Sequence, residues 1–266
     1  MFKHLLLPTD GSKLSEAAIQ KGVQFAKSIN AKITGFYVMP EFHLFTYRTE
    51  MVDDTKEEFA RDCSTPADQF LAVVEKAARA AGVACDTVLV DNLNASYHAV
   101  EDLIVHGHRR IGIIGGPAAI YTAQERLKGY RRIHKDFDIE IEEDLVLEGD
   151  YSIESGYRLM DEFLKRPIPP SAVYVTNYEM TLGAIMALNE SRILVPDGIS
   201  IIGFDNLQLA RVVKPALSIV VQPIQAIGET AANLLLKRMK GDQTGFPAIH
   251  RLKTELVVGE SVKRLI

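Results

Sequence analysis

Short apolar runs alternate with longer amphipathic segments along the whole chain. His4 to Pro8 reads as a buried strand, and behind it Leu14, Ala18, Gly22, Phe25 and Ile29 recur at helical spacing, laying one apolar stripe along a helix. Ala31 to Met39 is the second strand. Pro40 to about Asp53 is aromatic and irregular, an exposed loop or lid. A charged helix then runs through Phe70, Val73, Val74 and Ala77 to a stop at Gly82, and Val83 to Val90 is the third strand.

No Gly, Ser or Pro cluster separates Val90 from Asn94, so a boundary there is a tight crossover rather than a linker. Helices are predicted over Ala95–His106, Ala123–Lys135, Ser155–Lys165 and Met180–Asn189. They separate strands at Ile111–Ile114, Leu145–Leu147, Ala172–Val175, Ile199–Phe204 and Leu217–Val221. A last helix presents Ile227, Ala231, Leu234 and Leu235 on one face and stops at Gly241; the tail Leu252 to Val258 is strand-like. Regular strand–helix alternation predicts an α/β protein built from two Rossmann-like or flavodoxin-like parallel-sheet lobes.

Composition changes this picture little. The 266 residues are long enough for two such lobes, and 47% hydrophobic with 24% charged residues and a mean hydropathy of +0.03 describes a globular chain with a real core. Thirty basic against thirty-five acidic residues leave a net charge of -5, which supplies no field to attract nucleic acid or an anionic bilayer. Cys63 and Cys85 have neither metal-ligand spacing nor a CxxC, and read as thiols in a reducing cytoplasm. The opening MFKHLLLPTDG has no signal-peptide apolar region, and no apolar run approaches the ~18 residues of a spanning helix, so a cytoplasmic location is expected.

Candidate chemistry is sought at the carboxyl ends of the strands, where parallel sheets place their functional loops. In Thr9-Asp10-Gly11-Ser12 the glycine permits close backbone approach and the following helix N-terminus favours an anion, although the same residues make a turn and an N-cap equally well. Gly112, Gly115 and Gly116 lack the GxGxxG order and read as close packing at a strand end. GxxxxGK[ST] and GxSxG do not occur. His106 and His108 flank Gly107 with no cluster to complete a metal site; His108-Arg109-Arg110 reads as a solvated turn, and Arg131, Arg132, His134 and Lys135 as a solvated basic face. Metal, cofactor and catalytic residues are therefore not expected. Asn177, Asp205 and Gln222 lie at or just past predicted strand ends, and Arg126 opens the helix after another. A fixed fork of donors, a carboxylate acceptor and two amides suit a polyhydroxylated or heterocyclic ligand better than bond breaking.

These motifs carry two resemblances. Residues 2 to about 90, with KHLLLPTDGS, LSEAAIQKGVQFAKSINAKITGFYV and VACDTVLV, resemble the universal stress protein family. That implies a flavodoxin-like adenine-nucleotide fold, with Asp10 and Val38 at adenine-contact positions and Gly11 and Ser12 in the same loop. The second half of that family, with its phosphate-binding Gly-x2-Gly-x9-Gly-Ser, is not matched, so ATP is expected to bind weakly or not at all. Residues 91 to 266 resemble the effector core of the lactose and purine repressor (LacI/GalR) family, a periplasmic-binding-protein-like type I fold. The matching strings are VDN, GHRRIGIIGGP, ERLKGY, GDYSIESGY, TNYEMTLGA, VPDGISIIGFDN, PALSIVVQPIQAIGETAANLLL and TELVVGESV. The family's effector contacts fall on Arg126, Asn177, Asp205 and Gln222, with Tyr178 where many members have an acidic residue; the helix-turn-helix headpiece, hinge helix and most of the first lobe are not matched.

The two parts abut within VLVDNLN, which implies a fragment chimera made in the laboratory, with no evolved function, in which a stress-protein piece replaces the repressor's first lobe; a natural mosaic is the alternative. The resemblance implies that residues 1–91 with 222–241 form the first lobe and residues 92–221 with 242–266 the second. It also implies a cleft for a sugar or purine, no DNA binding, and a homodimer through 181–209. The competing class is an adenine-nucleotide-binding stress-type protein, or a nucleotide hydrolase using Asp10 with Asp53 and Asp54, which lacks a paired general base at readable spacing.

Overall fold

The computed structural model describes residues 3–9, 13–37, 77–83, 85–205, 207–242, 244–246 and 249–266. In chain order the elements are β1 (His4–Thr9), α1 (Lys13–Ser28), β2 (Lys32–Tyr37), β3 (Cys85–Val90), α2 (Asn92–Val105), β4 (Ile111–Gly115), α3 (Tyr121–Asp136), β5 (Val146–Glu148), α4 (Ile153–Leu164), β6 (Ala172–Val175), α5 (Tyr178–Ser191), β7 (Ser200–Phe204), α6 (Leu207–Val212), β8 (Ser218–Val221), α7 (Ile224–Met239), β9 (Ile249–Leu252) and β10 (Glu255–Val257). Residues 77–81 are also helical. The chain divides into two compact units, Met1–Leu89 with Ile224–Leu252, and Val90–Pro223 with Lys253–Ile266.

The first unit holds a four-stranded sheet in the order β1-β2-β3-β9. β1 and β2 pair in parallel from His4 opposite Lys32 to Thr9 opposite Tyr37, and β2 pairs in parallel with β3 at Ile33 opposite Cys85. Ile19, Val23 and Ala26 on one stripe of α1 pack with Ala31, Ile33 and Ala78. A Cβ at Gly22 would stand 2.6 Å from Leu7 Cδ2, so glycine lets α1 lie close on β1. Helix α7 is tied to this sheet by a buried ion pair, with Arg238 Nε donating to Asp86 Oδ2 at 2.8 Å and Nη2 to Oδ1 at 3.3 Å. The two side chains are 1% and 0% exposed. Arg238 Nη1 also donates to the Asp242 and Thr244 carbonyls, so the guanidinium is held from both sides.

The second unit holds a six-stranded sheet, β10-β8-β7-β6-β4-β5, parallel except where β10 runs antiparallel to β8. Alternation along its strands feeds two cores. Ile114, Val173, Val175 and Ile201 meet Leu159, Met160 and Phe163 of α4 and Met180 and Ala184 of α5, whereas Ile111, Ile113, Ala172, Tyr174 and Phe204 meet Ala99 and Leu103 of α2 and Tyr130 and Ile133 of α3. Burial on both faces is why these strands read as unbroken apolar runs. Helices α4 and α5 touch backbone to backbone: a Cβ at Gly183 would fall 1.9 Å from the Ile153 carbonyl oxygen, and one at Gly156 2.3 Å from that of Met180.

Four expectations need correction. Strand β9 was not expected: it ends at Leu252 in the first sheet, and the strand-like tail behind it supplies β10, Glu255–Val257, in the second. Helix α6 was not expected, because six residues are too few for periodicity to show. His108 is not in a solvated turn. It is 1% exposed, because the carboxyl-terminal segment crosses it: His108 bonds the Ser171 hydroxyl at 2.9 Å and the Lys263 carbonyl at 3.1 Å, while Ser261 bonds Ile201 and Ser218. Nor is His134 on a solvated face; it is buried with its ring 4.2 Å from that of Tyr130, although Arg131 on the same helix does reach outward to Glu143. Close packing at the glycines holds, since a Cβ at Gly112 would meet the Phe163 ring at 2.9 Å and one at Gly116 the Tyr151 ring at 2.1 Å.

Candidate functional site

Parallel pairing of β4, β6, β7 and β8 brings their carboxyl ends to one edge of the second sheet, and that edge gathers three of the four repressor-type residues. Arg126 projects from the second turn of α3, the helix that follows β4. Its Nε donates to Asn92 Oδ1 at 2.9 Å, Nη1 donates to the Thr176 carbonyl, and the guanidinium stacks 3.7 Å above the Phe204 ring. Phe204 ends β7, and Asp205 follows it with φ 61°, in the left-handed region that aspartate tolerates better than most residues. The turn is held by the Asp205 N–H donating to Val220 at 2.7 Å. Gln222, just past β8, donates from Nε2 to Asp205 Oδ1 at 2.8 Å. Arginine, carboxylate and amide thus share one cluster with an aromatic face.

Asn177 stands apart in its bonding. It is the N-cap of α5, Oδ1 accepting from the Met180 N–H at 3.0 Å and Nδ2 donating to Glu179 at 2.7 Å. Thr181 fastens this turn to the neighbouring strand end, donating from Oγ1 to the Asn177 carbonyl at 2.6 Å and accepting from the Phe204 N–H at 3.4 Å.

Burial pushes the Asp205 carboxyl above its ordinary value; the Arg126 charge and the Gln222 bond act the other way. Burial also raises Glu179, and the Asp205 charge adds to it while a backbone hydrogen bond opposes it. The arrangement offers a carboxylate acceptor, amide groups and a stacked arginine, all able to hydrogen-bond or stack on a polar ligand. Among the described residues, no group of three or more His, Cys, Asp or Glu could hold a metal ion.

Asn92, Thr176, Phe204 and Glu179 escaped the reading of residue types, as did the backbone at Tyr151 beside the strand ends. Asn92 lay within the quoted VDN, but its bond to Arg126 links positions 34 residues apart. Thr176 contributes a main-chain oxygen, invisible in composition. Tyr151 sits at φ 70° beside Gly116, a conformation no residue type announces. Asp10, Gly11, Ser12 and Val38, together with Cys63, Asp53 and Asp54, lie outside the described residues.

A doubly covered parallel sheet with polar residues gathered at the carboxyl ends of its strands is a doubly wound α/β fold with its site where such sheets bind ligands. The model of the periplasmic binding protein-like domain matches residues 100–262, more than half of the chain, and the chain belongs to that family. The universal stress protein family model matches residues 1–114, so it runs past the expected limit near Val90 and the two models overlap over residues 100–114, the end of α2 and most of β4. Among curated proteins, the HTH-type transcriptional repressor PurR of Escherichia coli and that of Shigella boydii are 39% identical over 154 residues, 58% of this chain and 45% of theirs. The chain therefore spans less than half the length of these relatives. Among solved structures, a transcriptional regulator CelR–cellobiose complex matches at 27% identity with a TM-score of 0.65, covering 97% of this chain and 83% of that one. A LacI-family regulatory protein from Chloroflexus aggregans, at 21% identity, TM-score 0.69 and coverage of 97% and 98%, shares the fold. No helix among the described residues is long and apolar enough to cross a membrane.

Proposed function

We propose that the chain is a small-molecule-binding module, taking a sugar or a purine at Arg126, Asn177, Asp205 and Gln222. The observation that carries this reading is the Arg126–Asp205–Gln222 cluster at the strand ends, held ready by Asn92, Thr176 and Phe204. Its support from relatives is the similarity to the CelR–cellobiose complex and to the repressor PurR. Thermal shift against sugars and purines, followed by calorimetry, tests it, because a ligand of the native state alone raises the melting temperature. Removing one partner of a charged hydrogen bond costs roughly 1.5–3 kcal/mol, so Arg126→Ala and Asp205→Ala lower affinity about ten- to a hundredfold. Variants that fold and bind as tightly as the parent place the site elsewhere.

Within the same reading the chain is a fragment chimera made in the laboratory, with a natural mosaic as the alternative; two family models meeting in the middle of one chain support it. A genome carrying the same junction would establish the mosaic. It works in the cytoplasm as a binding module and not as an enzyme, an assignment that turnover of ATP with a divalent metal would overturn. A net charge of -5 argues against DNA binding by these residues, and a salt-sensitive mobility shift would contradict that. A homodimer through residues 181–209 is supported by exposed Met186 and Leu194, and by the similarity in fold to a dimeric Lac repressor. Sedimentation tests it.

A further inference from the structure

The candidate site carries one more acidic group than it carries cations. Arg126 and Asp205 offset one another in charge. Glu179 belongs to the same edge, since it stands in the first turn of α5, four residues beyond β6, and Thr181 pins that turn to the end of β7 beside Asp205. Among the described residues, no lysine, arginine or histidine pairs with Glu179; its carboxylate meets only neutral donors, Asn177 Nδ2 at 2.7 Å and a backbone N–H. The α5 N-terminus supplies roughly half an elementary charge of compensation. Burial and the neighbouring Asp205 work against it, and both raise the Glu179 carboxyl. A neutral ligand seated over this edge would take more water from a carboxylate already short of a counter-charge. A ligand amine would turn the same carboxylate into a charge-assisted pair.

Resting on the ligand-binding reading above, we propose that the ligand is a hydroxylated molecule bearing a protonated amine, an amino sugar in chemical class. The amine lies against Glu179 and the hydroxyls lie on Asp205 and Gln222. Glu179 is then a specificity-determining residue.

The test uses sugar twins that differ only in a hydroxyl exchanged for an amine: D-glucosamine against D-glucose and D-galactosamine against D-galactose. Calorimetry on the full chain is run at a pH that keeps the amines protonated. At least one amine twin is expected to bind about tenfold or more tightly than its hydroxyl partner, the scale of one charge-assisted hydrogen bond. In Glu179→Gln that ratio falls to about one. A hydroxyl twin that binds equally or more tightly overturns the inference, as does a ratio that survives in Glu179→Gln. If the variant does not fold, the parent's ratio decides alone. A neutral sugar or purine found by thermal shift while the amines fail sinks this inference and leaves the binding reading standing; the absence of any ligand sinks both.

Discussion

The two units hold their buried polar groups in different ways. In the first, the described core is small, and a full ion pair, Asp86 with Arg238, sits at 0% and 1% exposure between β3 and α7. In the second, two cores flank the sheet, and buried polar atoms meet mostly neutral partners: Ser96 bonds Tyr174 at 2.7 Å, Tyr130 the Ile111 carbonyl at 2.8 Å, and Arg126 spends its donors on an amide and a carbonyl. The comparison teaches where each unit is vulnerable. Stability that hangs on two opposite charges is lost when one is removed, whereas stability spread over packed helices and strands is lost where packing has no slack.

The largest effect is therefore expected at Asp86. Asp86→Ala leaves the Arg238 guanidinium buried without its carboxylate, and breaking such a pair costs about 3–5 kcal/mol. Hydrogen exchange during urea unfolding should show the loss in β1, β2, β3 and α7, with the second sheet protected. A double variant, Asp86→Leu with Arg238→Met, should recover much of the stability, because no charge is then left buried. A single variant costing under about 1 kcal/mol, or one that loosens both units equally, would erase the contrast.

Next in size come two glycines that receive the same substitution with opposite results. Gly183→Ala drives a Cβ into the Ile153 carbonyl, 1.9 Å away in the present packing, and α4 must move from α5. Overpacking of this kind costs about 1–3 kcal/mol. Gly228 lies in α7, exposed, with nothing within 4 Å of a new Cβ. Gly228→Ala should stabilise the first unit by about 0.5–1 kcal/mol, since alanine loses less backbone entropy in a helix. Chemical denaturation of the two variants sharpens the comparison; equal signs would contradict it.

Most of the α/β frame was legible in the chain because the strands of the second sheet are apolar on both faces, and β6 has the bounds that the pattern implied, Ala172–Val175. The return of the tail to the second sheet followed from the repressor resemblance, but β9 was not legible, for four residues just ahead of a strand-like tail do not announce a strand of the other sheet. His108 and His134 misled because a histidine among arginines has the composition of a wet surface, and only the crossing carboxyl-terminal segment and the Tyr130 ring bury them. At the site, Arg126, Asp205 and Gln222 were readable as charged and amide residues at strand ends. Thr176 acts through a main-chain oxygen, which leaves no mark on residue type.

The smallest effect is expected from pH, and it reaches both units. His4 in the first and His108 and His134 in the second are buried, and burial lowers each below its ordinary value of 6.5. A histidine with a depressed folded-state value binds its proton more readily in the unfolded chain, so acid favours unfolding. Its full contribution is present above pH 6.5, is lost progressively as pH falls, and levels off once pH has passed below the folded value. For His108 the loss has a structural address: the protonated ring would still donate to the Lys263 carbonyl, but it would carry an uncompensated charge into a site that holds the carboxyl-terminal segment on the sheet. Denaturation midpoints measured from about pH 7 to about pH 5 should fall in the parent, and more shallowly in His108→Gln, whatever stability that variant loses at neutral pH. Exchange protection of Ser261 to Lys263 should drop over the same interval. A variant with the parent's slope would mean that His108 keeps its proton balance on unfolding and that the acid sensitivity of the second unit comes from His134.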